Sequence, residues 1–287
     1  MTLLDAELES FMTFCQKRQE AYNGKTAGLP YPWTNDDLIN TRRFTNVYRD
    51  LDVGTVWLLD ELKEPIDLHH LLMIVCTYRW VNWVPTFEEV GLPIFLSTLG
   101  IDLWCDDVDA RGARGDRVVT TRHNAFWKGT RERMHALCRD QIDAEYVHRL
   151  IQCQTGTELV ECLSEINGLG PFTAVQVAAD LMTIPWTLWS PDAEIPLAIG
   201  SRFGLHILRT GEAPDKAIKA LLQRHKGLSV DEHDDLLDLR GEMRGRMPHT
   251  RDLNFIDLEH ALCEWFRYRG TELGAKTKLT SYEPEVG

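Results

Sequence analysis

Within Leu163–Asp180 the chain reads LeuSerGluIleAsnGlyLeuGlyProPheThrAlaValGlnValAlaAlaAsp, and Gly168, Gly170 and Pro171 stand together at its centre. Those residue types in that order suit anion binding. Glycine tolerates positive φ and lets a phosphate approach the backbone. Proline fits the first position of a helix. The amides that follow face outward at the positive end of the helix dipole. Leu169 is placed to plug between two helices, and Ala174 is small enough to let them close. The spacing predicts helix, Gly-x-Gly turn, helix, with Gly168, Leu169, Gly170 and Thr173 presented to a phosphate backbone. A plain αα-hairpin with a glycine turn has the same pattern and stays open beside it. A dinucleotide-binding reading fails, because no strand precedes the glycines.

Metal and thiol chemistry find no matching pattern. The seven cysteines (15, 76, 105, 138, 153, 162 and 263) include no pair with a two-residue gap, and the ten histidines include no His-Glu-x-x-His string. Reduced, mostly buried thiols and no metal site are expected. Charge argues at first against a polyanion partner: 31 basic against 44 acidic residues leave a formal −13. Its distribution is uneven. Residues 111–133 hold seven Lys/Arg, among them Arg122 and Lys128, against two acids, interleaved with Gly112, Gly115, Phe126 and Trp127. Residues 228–239 hold five acids and no Lys/Arg, and Arg240, Arg244, Arg246 and Arg251 follow. The first run is a candidate nucleic-acid face, with a solvated surface as the alternative.

The elements that must position these groups are helical. Leu4, Leu8, Phe11 and Cys15 share one helical face, and 67–83, 131–153, 157–166, 172–183, 214–226 and 254–269 read as further helices. After the Gly/Pro-rich loop 24–32, Thr34 and Asp37 read as a capping box with Thr34 as N-cap and Trp33 stapled to Leu38. A helix carried on from there puts Arg42, Asn46 and Arg49 on one stripe. Only 116–121 reads as a short strand. The class is therefore mainly α. Apolar runs such as Leu71–Cys76 are too short for a membrane span, and the acidic start MTLLDAELES is unlike a signal peptide, so a cytoplasmic location is expected.

The hairpin, with Pro185, Trp186–Trp189, Ser190-Pro191-Asp192 and Ser201–Leu205 after it, resembles the helix-hairpin-helix DNA glycosylase superfamily. That resemblance implies a glycosylase-like helical fold, with Asp192 opening a helix at the mouth of a base pocket as general base or charge stabiliser. Two departures stand out. Phe172 occupies the position of the nucleophilic lysine of lyase-type members, which disfavours Schiff-base chemistry. Cluster-binding cysteines are absent.

The segment ThrAlaGlyLeuProTyrProTrpThrAsnAspAspLeuIleAsnThrArgArgPheThrAsnValTyrArgAspLeuAsp (26–52) is more distinctive. With 167–174, 200–205 and 258–265 it resembles phage thymidine-hypermodification proteins. These include the helical domain of 5-hydroxymethyl-deoxyuridine DNA kinases and the amino acid:DNA transferases (α-glutamyl/putrescinyl thymine pyrophosphorylase-like). The string Gly270–Thr277 has the wrong spacing for a phosphate-donor loop, which favours the transferase branch.

The resemblance implies replacement of the diphosphate of 5-diphosphomethyl-deoxyuridine in double-stranded DNA by an amino acid or polyamine. Arg42, Asn46, Arg49 and Arg79 suit the diphosphate. Trp33, Phe44, Tyr48 and Trp80 suit a flipped base. Asp192 or Glu264 suits the base that takes a proton from the amine, and Cys263 could add to the pyrimidine. Gly168, Leu169, Gly170, Thr173, Arg122, Lys128 and Arg202 suit DNA. The resemblance fixes no cofactor, and Mg2+ could arrive with the diphosphate. The implied setting is the cytoplasm of a phage-infected bacterium. The expected organisation is one glycosylase-like unit of two lobes, about 1–60 with 190–287, and about 61–189 bearing the hairpin. A monofunctional glycosylase and a non-catalytic DNA-binding subunit are the alternatives.

Overall fold

A computed structural model of the chain describes residues 3–94, 97–120, 127–224 and 232–275. Among them the structure is mainly helical, with no β-strand. In chain order the helices are α1 (Asp5–Thr26), α2 (Asp37–Thr41), α3 (Val53–Glu61), α4 (Leu68–Val81), α5 (Val84–Val90), α6 (Thr98–Ala113) and α7 (Thr130–Ala136). They continue with α8 (Ala144–Gln152), α9 (Gly156–Ser164), α10 (Pro171–Thr183), α11 (Ile199–Thr210), α12 (Pro214–Arg224), α13 (His233–Met243) and α14 (Phe255–Glu272). Two compact units result: Met1–Asp52 with Glu194–Gly287, and Val53–Ala193. No described helix is long and apolar enough to cross a membrane.

The first unit is built around α14. Asn254 and Asp257 form a reciprocal capping box at its start, and most of the helix is buried. α1 lies against it through an edge-to-face contact of Phe11 with Trp265, ring centroids 5.6 Å apart. α11 crosses it closely because Gly200 and Gly204 stand one turn apart. A Cβ at 204 would fall 2.5 Å from the Leu262 carbonyl oxygen, and one at 200 would fall 2.5 Å from Cys263 Sγ. Glu259 ties the same crossing by accepting from the Ser201 hydroxyl at 2.6 Å and from the Ala198 amide at 3.3 Å. The segment 200–205, singled out in the sequence, is thus a packing motif.

The second unit is organised by α4. Leu71–Tyr78, Trp80 and Val81 are all buried, so this helix is enclosed on every side. Asp67 caps its start through the His69 and His70 amides, and Asn82 ends it in the left-handed conformation at φ 47°. Trp57, Tyr78, Phe87, Trp104 and Trp127 follow one another with ring centroids 5.3–6.1 Å apart. α10 is held to α4 by a bidentate ion pair between Arg79 and Asp180.

Several local expectations are corrected. The α2 cap is Asp36, which accepts from the Leu38 and Ile39 amides, not Thr34. α2 stops at Thr41, and Arg42 is already extended at φ −120°, ψ 150°. The predicted helix 131–153 is broken by a π-turn at Leu137–Gln141, after which Asp143 caps a new helix through the Tyr146 amide. Residues 116–120 of the predicted strand are irregular, and Thr121 lies outside the described residues. Helices α3 and α6 escaped the pattern search because Gly54 and Gly100 and stretches apolar on several faces blur the period.

Gly→Ala inside a helix normally stabilises by about 1 kcal/mol. Gly204→Ala should do the reverse and cost about 1–3 kcal/mol, because its Cβ meets backbone that cannot step aside. Urea unfolding of the two proteins checks the sign. A midpoint that rises would mean that α11 and α14 can separate at this crossing without penalty.

Candidate functional site

Two places carry the chemistry-bearing residues, one in each unit. In the second unit, α9 and α10 are joined by the turn 165–170. Gly168 adopts φ +92°, whereas Gly170 is the N-cap of α10 at φ −66°, so only the first glycine needs left-handed space. Leu169 is 3% exposed and plugs the hairpin, and Ala174 is fully buried beneath it. Gly170 and Pro171 are exposed and Thr173 is half-buried. The amide edge at the start of α10 is therefore presented outward. Trp80, expected in a base pocket, is instead completely buried beneath the turn, its indole donating to the Gly168 carbonyl at 3.1 Å.

The basic run 111–133 is largely consumed by acids. Arg111 and Arg114 both pair with Glu89. Arg131 faces Asp102, Asp106 and Asp109 from α6, at 2.7–3.1 Å. Arg117 lies over the Trp83 ring, and the Trp127 indole donates to Asp109 at 2.6 Å. Lys128 remains exposed. Arg122 lies outside the described residues. The second basic cluster is likewise engaged: Arg244 with Asp252, Arg246 with Glu242, Arg251 with Asp50 and Asp257, and Arg240 over Phe255. Arg202, expected on DNA, is 5% exposed and paired with Glu232 at 3.2 Å. Arg79, expected on a diphosphate, is held by the buried Asp180.

In the first unit, residues 42–52 run extended into a short 3-10 turn at Arg49–Leu51 and rest on one face of α14. Arg42, Asn46 and Arg49 therefore do not form a helical stripe. Asn46 is buried: its Oδ1 accepts from Arg18 at 2.5 Å, its Nδ2 donates to the Leu51 carbonyl at 2.6 Å and its amide donates to Asp52 at 2.8 Å. Arg49 is 4% exposed, its amide donating to Asp257 at 2.8 Å and its guanidinium to His260 Nδ1 at 3.3 Å. Arg42 is half-buried, and its Nε is enclosed with no hydrogen-bond partner among the described residues.

The expected pocket aromatics are internal too. Phe44 packs edge-on against Phe14 at 5.5 Å. Tyr48 is fully buried, stacked on His249, with its hydroxyl donating to the Arg251 carbonyl at 2.9 Å. Burial and the nearby Asp257 push its phenol pKa up, so it stays neutral. Trp33 is half-buried, donating to the Leu29 carbonyl at 2.9 Å and packing on Tyr31.

α14 supplies the partners of this segment from Asp257, His260 and Glu264, a spacing that puts all three on one helical face. His260 and Asp52 are participants that the sequence reading missed, though this spacing was there to be read. The two His260 nitrogens face opposite demands. Nε2 lies 3.1 Å from Asp52 Oδ2, which needs a proton, and Nδ1 accepts from Arg49. Burial disfavours the Asp52 carboxylate, but the hydrogen bond to His260, the charge of Arg49 and the Asn46 amide outweigh burial and hold its pKa below the ordinary 3.8. Glu264 is 2% exposed, accepts from the Thr45 amide at 3.2 Å and pairs with Arg267. Cys263 sits against Gly200, and burial first, with Glu264 and Glu259 adding to it, pushes its thiol pKa up, which opposes a thiolate nucleophile.

Asp192 lies in the second unit, exposed in the turn 191–193, and its amide donates to Ser190 Oγ at 3.2 Å. It does not open a helix: α11 starts at Ile199, after N-cap Ala198. Among the described residues no group of three or more His, Cys, Asp or Glu side chains could hold a metal ion.

Because the folded pKa of Asp52 is lowered, its contribution is complete above pH 3.8 and is lost as pH falls through the lower folded value. Asp52→Asn should cost about 1.5–3 kcal/mol at neutral pH, the scale of hydrogen bonds to a charged group. Urea unfolding of both proteins along the acid limb should show that gap closing. A gap constant with pH would remove the charge of Asp52 from the account.

No curated protein and no solved structure matches this chain. A family described as the helical domain of 5-hmdU DNA kinase does, and the match covers residues 6–275, most of both units, including the segments 26–52, 163–180 and 258–265. The chain belongs to the 5-hmdU DNA kinase helical-domain family.

Proposed function

We propose that this chain is a DNA-base-modifying transferase that works on thymine-type bases, with the α9–α10 hairpin as its duplex contact. Family membership ties the chain to modification of such bases, and the match is to a helical domain rather than to a phosphate-donor domain. The observation that carries the reading is the hairpin inside that match: a positive-φ Gly168, an exposed Gly170–Pro171 edge and outward-facing amides at the start of a 13-residue helix. A helix-hairpin-helix glycosylase-like ancestry of the fold belongs to the same proposal.

In the reaction proposed, the target nucleotide leaves the stack. A deprotonated amine of an amino acid or polyamine attacks the 5-methylene carbon of 5-diphosphomethyl-uracil. The carbon–oxygen bond to the diphosphate breaks, its electron pair leaves with pyrophosphate, and the new ammonium sheds a proton. Asp192, exposed and carboxylic, is the candidate base. Arg49, Asn46, Arg79, Glu264, Phe44 and Tyr48 act instead as internal supports. Mg2+ would come with the diphosphate. Action on phage DNA in an infected bacterial cytoplasm is part of the same reading.

A second reading, a non-catalytic DNA-binding subunit, is favoured by one observation: Glu264, Arg49 and Arg79 all commit polar atoms to interactions within the fold.

Incubation with 5-diphosphomethyl-uracil duplex DNA and a pool of amino acids and amines, followed by nucleoside mass spectrometry, tests both. An aminated nucleoside together with pyrophosphate is expected, and Asp192→Asn should slow its formation by about 10²-fold or more. Abasic DNA would point to a glycosylase, and bound but unchanged DNA to the helper. Full turnover in Asp192→Asn would remove this residue from the site.

A further inference from the structure

In the second unit a cleft of about 430 Å³ is lined by Thr98, Asp102, Glu132, His135 and Arg139. Local structure brings these groups together. Thr98 and Asp102 stand one turn apart at the start of α6, and Glu132 and His135 one turn apart on α7. α7 then runs into the π-turn Leu137–Gln141, which the Ile142 amide closes on the Leu137 carbonyl at 3.3 Å, and this turn carries Arg139. Such π-turns are frequent at functional sites. His135 Nε2 lies 2.8 Å from Asp102 Oδ1, which ties α6 to α7 at the cleft. Thr98, Glu132 and Arg139 are exposed.

The charges on this cleft differ from those on the rest of α6. Arg131 takes up Asp106 and Asp109 and also reaches Asp102 at 3.1 Å. Hydrogen bonds with His135 and Arg131 hold the Asp102 carboxyl below the usual carboxylate range, so it stays ionised. Glu132 acts on its chain neighbour Arg133 through charge alone. Among the described residues neither the Glu132 nor the Arg139 side chain has a hydrogen bond or an ion pair, and the two do not pair with each other. The cleft thus presents a carboxylate and a guanidinium of opposite sign. A phosphate would meet Glu132 and Asp102, and a diamine would meet Arg139. Among the described residues no group of three or more His, Cys, Asp or Glu suits a metal ion. A small molecule carrying both an ammonium and a carboxylate satisfies both sides, its carboxylate on the paired N–H donors of the guanidinium. The volume is that of a small-molecule site.

We propose that this cleft binds a free α-amino acid as its zwitterion, with Arg139 holding the carboxylate and Glu132, beside Asp102, holding the ammonium. The role of that ligand as the incoming nucleophile rests on the amine-transfer reading. The cleft selects among the amines of that reading: a molecule with both charges is taken and a polyamine is refused.

Isothermal titration calorimetry of the full chain with glycine, L-serine, ethanolamine, 3-hydroxypropionate and putrescine tests the assignment. Ethanolamine is serine without its carboxylate, and 3-hydroxypropionate is serine without its ammonium. Glycine or serine should bind, and the three singly signed compounds should bind about tenfold more weakly or worse, the scale of one lost hydrogen bond to a charged group. Arg139→Gln and Glu132→Gln should each weaken amino-acid binding by a similar factor. Arg139→Glu should reverse the preference, so that putrescine binds in place of the amino acid; a variant that merely folded poorly would gain no ligand. Failure of both amino acids to bind, or wild-type affinity retained in both Gln variants, overturns the site. In the assay with 5-diphosphomethyl-uracil DNA, Arg139→Gln should raise KM for the amino acid about tenfold. An aminated nucleoside formed with KM unchanged in both Gln variants overturns the site and spares the transferase reading. Amino-acid binding without any aminated nucleoside overturns the transferase reading, and the nucleophile role with it.

Discussion

A carboxylate taken wholly out of water must be met by donors, and in the first unit Asp257 imposes that condition on everything near it. Its side chain is fully buried, and it receives the Asn254 amide, the Arg49 amide and the Arg251 guanidinium. One group thereby caps α14, anchors the segment 42–52 and fixes the loop that carries Arg251. The Arg251 guanidinium then covers the Tyr48 ring and reaches Asp50. His260 and Glu264, further along the same helical face, hold Asp52 and the Thr45 amide. In the backbone after Arg42 the Thr45 and Arg49 amides donate to carboxylates of α14 instead of to a continuing helix. Local propensity yields here to a buried charge.

The same condition explains how an acidic protein can be read as a DNA protein. The formal charge of −13 counts every carboxylate as available, yet many are spent on neighbouring arginines. The cations of both basic runs are mostly spent in the same way. Neither the acidic total nor the length of a basic run measures the field at a surface. What matters is where a cation is placed with its charge turned to a ligand.

Much of the helical content was legible from periodicity. α4, α9, α10, α12 and α14 coincide with the predicted spans to within a few residues, and α1 carries the predicted face of Leu8, Phe11 and Cys15, because such spacing is a local property. The hairpin was legible for the same reason: a glycine turn followed by proline is a backbone statement. The strand at 116–121 and the continuous helix 131–153 were misread. In the second case the Asp143 cap offered a competing end that the apolar rhythm passed over. The most distinctive segments, 26–52, 200–205 and 258–265, marked the family correctly, yet many of their polar residues bond to one another or to their own unit. A recurring polar pattern can record how a core is tied together as well as how a substrate is held.

The amino-acid sequence by itself determined a mainly helical chain, the hairpin with its glycine turn, and the kinship with the helical domains of 5-hmdU DNA kinases. Only the tertiary structure decided which charged residues remain for a partner. The reason is distance along the chain. Arg79 meets Asp180 across 101 residues and the Thr45 amide meets Glu264 across 219, while Arg202 meets Glu232 across 30. No periodicity spans such separations, and the free energy of burying a charge is set by its partner in space. Arg133 is a further case of placement by the fold. It was one basic residue among seven in the sequence, and its position over Gly168 emerges only when α7 and the hairpin are folded together.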